Sequence, residues 1–412
     1  MRNARDMLAE SEIVVIGGGA VGLGVAYALA RAGKSGVLVV EREPGVGRVT
    51  TSQGAGLCGQ VRASVERVRL AMHSVETFRE LQQDAEVRPD WHEVGSIRLA
   101  FSLERVEELR RLASVCAEAG LEVELLDPAE AERLWPLDLG EVRAVLWCPS
   151  DGFMTPTSVA AAYEHRCRAM GVRFLTSTAV TGIEVREDGV AAVRTDRGYV
   201  TCGTVIDAAG AHAFHVARLA GLELPIVPVR HEYFDTEPLA GLHPDLPCFR
   251  VPEMTVYGRA VGQGLRLGGW ESTAESLDPR TFQLEAQAPA IATDSVVLAG
   301  FDEQFAALFP AVRGAPRTRV AKGWPTFTPD GGFVIGESRR VGGFVMAGGC
   351  NAHGISGSAG IGRLLVESLY DPHPGAYVRS LTPDRFTESA WDWDDARSQA
   401  QRVYETYYAP AG

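Results

Sequence analysis

Apolar positions along this chain follow two rhythms. Ile13-Val14-Val15-Ile16 and Val37-Leu38-Val39-Val40 are short unbroken runs, which suit parallel strands buried on both faces. Val172-Arg173-Phe174-Leu175, Val205-Ile206 and Phe344-Val345-Met346-Ala347 read the same way. Elsewhere the apolar positions recur at threes and fours. Val61, Val65, Val68, Met72, Val75, Phe78 and Leu81 predict an amphipathic helix, with Arg62, Arg67 and Arg69 off its stripe. Further helices are expected from Leu23 to Arg31, from about Glu104 to Ala119 with a stop at Gly120, from Pro156 to Met170, and from Gly357 to Leu369. Asp127-Pro128-Ala129-Glu130 has the cap, proline and reciprocal acid of a helix start. Ser96 to Phe101 alternates like a half-exposed antiparallel strand, and Asp188-Gly189 and Arg197-Gly198 divide Val180 to Cys202 into three short strands. Strand-like alternation resumes from Val229 to Trp324, most clearly at Leu265-Arg266-Leu267-Gly268-Gly269-Trp270.

The first strand, helix and strand form a unit with chemical content. Gly17-Gly18-Gly19-Ala20-Val21-Gly22 fits G-x-G-x-x-G directly after a strand and at the start of a helix. Gly17 allows the tight turn, Gly19 lets backbone approach a pyrophosphate beside Ala20 and Val21, and Gly22 lets helix pack on strand. Glu41, 19 residues past Gly22, ends the second strand where a carboxylate can bind ribose hydroxyls, with Arg42 beside it. A glycine-rich turn alone is weak evidence in a chain with 45 glycines, but here the strand, helix, second strand and acid occur together. They imply an adenine dinucleotide, FAD or NAD, with NADP disfavoured by the glutamate.

Composition narrows the rest. At 412 residues the chain implies about two or three domains. A net charge of -13 argues against nucleic acid and against an anionic membrane surface as partners. No apolar run is long enough to span a bilayer, and Met1 to Glu12 lacks a signal-peptide core, so a cytoplasmic protein is expected. The seven cysteines are too far apart for metal or redox pairs, and no metal site is expected. Three more stretches belong with the ligand. Thr51, Ser52, Gln53, Ala55 and Gly56 lie in a small, glycine-rich segment without helical period. Ala209-Gly210 repeats the pattern of strand entering a glycine turn, and Gly349, Asn351, His353, Gly354 and Ile355 precede an apolar helix whose N-terminus stabilises negative charge. Val180, opening the three-strand meander, completes the expected cofactor contacts.

Taken in order, these motifs resemble the D-amino-acid oxidase superfamily of flavoproteins, in its sarcosine and dimethylglycine oxidase or dehydrogenase branch. The resemblance runs from about Ser11 to Phe386. It rests on the first glycine turn, Val94-Gly95-Ser96-Ile97-Arg98-Leu99, Asp207-Ala208-Ala209-Gly210, Pro228-Val229-Arg230-His231-Glu232-Tyr233, Thr326-Phe327-Thr328-Pro329-Asp330-Gly331 and Asn351-Ala352-His353-Gly354. It implies α/β plus α+β architecture: a Rossmann-like FAD-binding domain from 11–87, 150–228 and 326–386, and an inserted antiparallel-sheet substrate domain from 88–149 and 229–325. Residues 387–412 form a C-terminal extension, similar to the linker that leads into a folate-binding half in dimethylglycine dehydrogenases. FAD is implied as cofactor, with hydride removal from the carbon beside an amine nitrogen. Gln53 stands where dimethylglycine oxidases carry a flavin-linking histidine, and Gly323 where monomeric sarcosine oxidases carry a linking cysteine, so non-covalent FAD is expected.

His231 matches the active-site histidine of dimethylglycine oxidases and Tyr257 their active-site tyrosine; Arg266 matches the lysine that assists oxygen reduction in sarcosine oxidases. Histidine can accept an ammonium proton near neutral pH. Arg62, Arg230, Arg259 and Arg266 are candidates for holding a substrate carboxylate, with Arg259 preferred because it shares a strand face with Tyr257. The expected reaction is oxidation of a secondary or tertiary amine, an N-methyl or cyclic amino acid, with oxygen or another acceptor downstream. Dehydrogenation of a 2-hydroxy acid is the alternative on the same scaffold. A third is a flavoprotein subunit that needs a heteromeric redox partner.

Overall fold

The computed structural model describes residues 7–388 and 390–409. Met1 to Asp6, part of the segment read for a signal peptide, and positions 389 and 410–412 of the expected C-terminal extension lie outside the described residues. The organising sheet has six strands in the order Val334–Glu337, Phe344–Gly348, Thr204–Asp207, Ile13–Ile16, Val37–Val40, Arg173–Leu175. All neighbours are parallel except the first pair. Every residue of Ile13–Ile16 and Val37–Val40 is buried, as unbroken apolar runs require.

On this sheet the helix Ala20–Arg31 crosses the helix Ser358–Tyr370 with their backbones nearly touching. A β-carbon at Gly24 would come within 2.4 Å of the Ser358 carbonyl oxygen, and one at Gly362 within 2.4 Å of the Gly24 carbonyl oxygen. That crossing sets the loop before Ser358 beside the N-terminus of the first helix.

A second sheet of eight strands runs Arg317–Gly323, His231–Thr236, Gly264–Gly269, Val256–Val261, Cys248–Val251, Ser96–Ala100, Ala144–Cys148, Glu124–Leu126. It is antiparallel apart from the parallel pairing of Cys248–Val251 with Ser96–Ala100. A four-stranded sheet pairs Met7–Glu10 with the meander Val180–Arg186, Gly189–Thr195 and Gly198–Thr201. Among the described residues no helix is long and apolar enough to cross a membrane, and all seven cysteines are buried and outside any disulfide.

Four elements differ from the pattern-based reading. The helix expected from Val61 starts at Val65, capped by the Ser64 hydroxyl, so Arg62 lies on the irregular segment before it. Ser96–Ala100 is buried on both faces because Ile97 and Leu99 pack toward Phe249, while Ala100 packs toward Leu109 and Leu146 under the helix Leu103–Ala119. Within the region of strand-like alternation lies the helix Ser295–Phe305, whose Leu298, Phe301 and Phe305 are buried. Its Val-Val opening favours strand by itself, but the Asp294 carboxylate accepts the amides of Val296 and Val297 and starts a helix instead. Finally, the C-terminal segment forms the helix Trp393–Glu405, which buries Ala396 and packs Trp393, Ala400 and Tyr404 against Phe214, Phe327 and Trp270.

Candidate functional site

One cavity of about 330 Å³ runs between the six-stranded and eight-stranded sheets, within the size range of small-molecule sites. At its first end, Gly17 has φ +110° and a β-carbon at Gly22 would lie 2.0 Å from the Gly17 carbonyl oxygen, so neither position tolerates a side chain. The helix that follows has Gly19 as cap, with no side-chain cap bond and no acid in its first turn. Of its opening amides, that of Ala20 is taken by the Thr51 hydroxyl at 3.0 Å. Amide dipoles facing a cavity without a fixed anion are the arrangement that binds a phosphate. Glu41 is fixed at the rim, its carboxylate accepting the amides of Gly18 at 2.6 Å and Glu43 at 2.8 Å. Arg42 donates to the carbonyls of Leu284 and Ala286 and to the Gln287 side chain, drawing that loop over the same end. Val180, Ala209 and Gly210 line the opposite wall. An ADP moiety therefore fits here, phosphates at the helix and ribose toward Glu41.

Gly17, Gly19, Ala20, Val21, Glu41, Arg42, Thr51, Gln53, Ala55 and Gly56 all line the cavity, as do His353, Gly354 and Ile355. Gly22, Ser52, Gly349 and Asn351 stand behind the wall. The Ser52 hydroxyl donates to the Arg48 and Val49 carbonyls. Asn351, at φ +46°, ties its own turn to Thr328, Gly331 and Gly349. These residues shape the loop whose neighbours face the ligand.

Toward the second end, Gln53 and Gly323 meet: a β-carbon on Gly323 would lie 2.7 Å from the Gln53 Oε1. The two positions read as places for a covalent link thus adjoin, and neither side chain can form one. Beyond them His231, Tyr257, Trp270, Trp324, His353 and Tyr407 line the cavity. His231 Nε2 lies 2.6 Å from the Tyr257 hydroxyl and Nδ1 lies 2.9 Å from that of Tyr404. Burial pushes His231 down to about 4, so it is neutral at pH 7, and burial holds Tyr257 well above the usual phenol range. The neutral imidazole has a lone pair that can take the phenol's proton, and burial makes it a weaker base than a free imidazole. Tyr407 stacks on Trp270 with ring centroids 3.8 Å apart and shares a hydrogen bond of 3.0 Å with His353 Nε2.

The arginines divide sharply. Arg62 lines the cavity; burial lowers it to about 10, which leaves it charged. Arg250, which sequence patterns did not single out, lines it too. Arg259 lies further along the strand from Tyr257, its guanidinium 3.9 Å over the Phe153 ring, and does not line the cavity. Arg266 makes two 2.7 Å bonds to Asp235 and one of 2.9 Å to the Ala55 carbonyl, so it braces the cavity-lining loop from behind. Arg230 is held by Glu271, Glu275 and Asp294. Tyr407 and Tyr408, from the expected extension, also lie in the wall. The tyrosine run at the end of an amphipathic helix was the signal available for them.

Residues 12–368 match the family model described as FAD dependent oxidoreductase. Mitochondrial sarcosine dehydrogenase of Mus musculus is 30% identical over 96% of this chain, and the chain spans 43% of that relative's length. Monomeric sarcosine oxidase of Bacillus sp. (strain B-0618) is 26% identical, over 86% of this chain and 90% of its own. The crystal structure of L-proline dehydrogenase from P. horikoshii superposes with a TM-score of 0.82 at 24% identity, covering 92% of this chain and 98% of that one. The cradle for a dinucleotide, the fold around it and the family match together make this chain a member of the FAD dependent oxidoreductase family.

Proposed function

We propose that this protein oxidises the carbon–nitrogen bond of a secondary or tertiary amino acid, of N-methyl or cyclic type, to an imine. The observation that carries this reading is the juxtaposition, in one cavity with the FAD cradle, of the neutral His231–Tyr257 pair and of Arg62 and Arg250. When bound, FAD supplies the hydride acceptor. The chain's own part is to place and deprotonate. Arg62 and Arg250 hold the carboxylate, Tyr257 and His231 take the amine proton, and Trp270, Trp324 and Tyr407 exclude water from that end. The matched sarcosine dehydrogenase and sarcosine oxidase, by their names, act on an N-methyl amino acid, which supports the same substrate class.

Anaerobic mixing of the yellow protein with a panel of N-methyl amino acids, cyclic amino acids and matching 2-hydroxy acids tests the proposal. Bleaching of the flavin by amines is expected. Bleaching only by hydroxy acids would replace the reading with hydroxy-acid dehydrogenation, and bleaching by neither would favour a partner-dependent subunit.

Two further outcomes follow from the site. Arg62→Gln or Arg250→Gln is expected to raise KM for carboxylate-bearing amines by about ten- to a hundredfold, because a charge-assisted bond is lost, with a smaller change in kcat. Initial rates across substrate concentration check this, and an unchanged KM in both variants would remove the arginines from the carboxylate site. We also propose that FAD is held without a covalent bond. Acid precipitation should leave the flavin in the supernatant; a yellow pellet would contradict it.

A further inference from the structure

The His231–Tyr257 pair does not end at His231. Tyr404, on the C-terminal helix Trp393–Glu405, has its hydroxyl 2.9 Å from His231 Nδ1 and donates it to the Glu271 carboxylate. A phenol carries a single proton. With that proton committed to Glu271, the Tyr404 oxygen accepts from Nδ1–H of His231. Nε2 is then bare and accepts the Tyr257 hydroxyl proton at 2.6 Å. The direction of every bond is therefore set from the carboxylate inward.

The geometry points to a proton wire, Tyr257 to His231 to Tyr404 to Glu271, that carries the substrate's amine proton out of the cavity through the C-terminal helix. In the step, an N–H bond of the substrate ammonium breaks as its proton joins the Tyr257 oxygen. The Tyr257 proton passes to Nε2, the Nδ1 proton to the Tyr404 oxygen, and the Tyr404 proton to Glu271. Each of the three relays ends with as many protons as it began, His231 changes tautomer, and Glu271 becomes a neutral acid. No electrons move.

The surroundings suit this assignment. The rings of Tyr257, Trp270 and Tyr404 pack around His231, and both of its ring nitrogens are engaged, one by Tyr257 and one by Tyr404. The Glu271 side chain is 9% exposed and the residue precedes the exposed Ser272 and Thr273, which sets the carboxylate just beneath the surface. The charge facing Glu271 is Arg230, at 3.5 Å, which keeps the carboxylate available as an anion; Arg230 is shared with Glu275, Asp294 and, at 4.0 Å, Glu232. Glu405, on the same helix as Tyr404, is engaged by the Ala274 amide and Gln401. Burial raises the Glu271 carboxyl, which makes it a better proton acceptor, and holds Tyr404 well above the usual phenol range, so its hydroxyl gives up a proton only as it receives another. Tyr404 and Glu271 act through His231 and are positioning residues for its proton transfer.

The wire rests on the amine-oxidation reading, and the experiment separates the two. Anaerobic stopped-flow reduction of the flavin is followed across pH for the parent, Tyr404→Phe and Glu271→Gln, using an N-methyl amino acid that the parent oxidises. Flavin content and visible spectrum equal to the parent's establish that each variant is folded. Below the titration of the substrate amine, where the proton must leave, both variants should reduce about tenfold or more slowly. Above it, where the amine arrives neutral, their rates should return to within about threefold of the parent, and the double variant should be no worse than either single one. A loss equal at all pH values, or no loss at low pH, overturns the wire, since a merely structural role moves the rate without regard to the substrate's protonation. If the parent itself is bleached by no amine at any pH, the functional proposal fails; if it is bleached and both variants keep its pH profile, only the wire fails.

Discussion

Replacing His231 by glutamine is expected to slow amine-dependent flavin reduction at neutral pH by about a hundredfold or more, while FAD stays bound. The amide can keep one hydrogen bond, to Tyr257 or to Tyr404, but it cannot accept a proton. Burial holds His231 neutral, so the native ring has a free lone pair at pH 7 and the variant has no equivalent. FAD retention should not change, because the glycine turn, Glu41 and Arg42 lie at the other end of the cavity. Anaerobic reduction rates, with flavin content as the control for folding, check the expectation. A variant with less than about a threefold defect at neutral pH would remove His231 from the chemistry.

The second large effect concerns the cofactor. Gly22→Val is expected to weaken FAD binding by about a hundredfold or more, to the point of purifying without it. Its first added carbon would already lie 2.0 Å from the Gly17 carbonyl oxygen, a separation that no rotamer relieves. The helix N-terminus must shift away from the strand, and the amides that meet the phosphates shift with it. Gly203→Ala is the matched control, since nothing lies within 4 Å of the added carbon there and the protein should remain yellow. Equal FAD content in the two variants would show that the first turn does not hold the cofactor.

The parts of this site that sequence made legible are those that local pattern determines. A buried strand, a glycine turn, a helix and a terminal acid lie within Ile13 to Glu41, and each has a short-range physical cause. His231 and Tyr257 were reached through resemblance, and their 2.6 Å contact depends on strands that pair only through Gly264–Gly269 between them. Periodicity also has a limit that Arg259 illustrates. It puts Arg259 on the Tyr257 face of the strand, but not at which point along that strand the cavity ends, and Arg259 instead meets Phe153. Arg250, Glu271 and the tyrosines of the C-terminal helix were not legible for a related reason. Each comes from a segment whose own pattern is that of an ordinary strand, loop or amphipathic helix. Only the packing of Trp393, Ala400 and Tyr404 against the core brings Tyr407 onto Trp270.

Every role assigned here depends on FAD lying along the cavity with its diphosphate against the start of the helix Ala20–Arg31. The direct measurement is to mix purified protein with excess FAD, separate free from bound by gel filtration, and record the visible spectrum of the protein peak. One flavin per chain eluting with the protein is the predicted result. A colourless peak, from protein shown to be folded, would contradict the account.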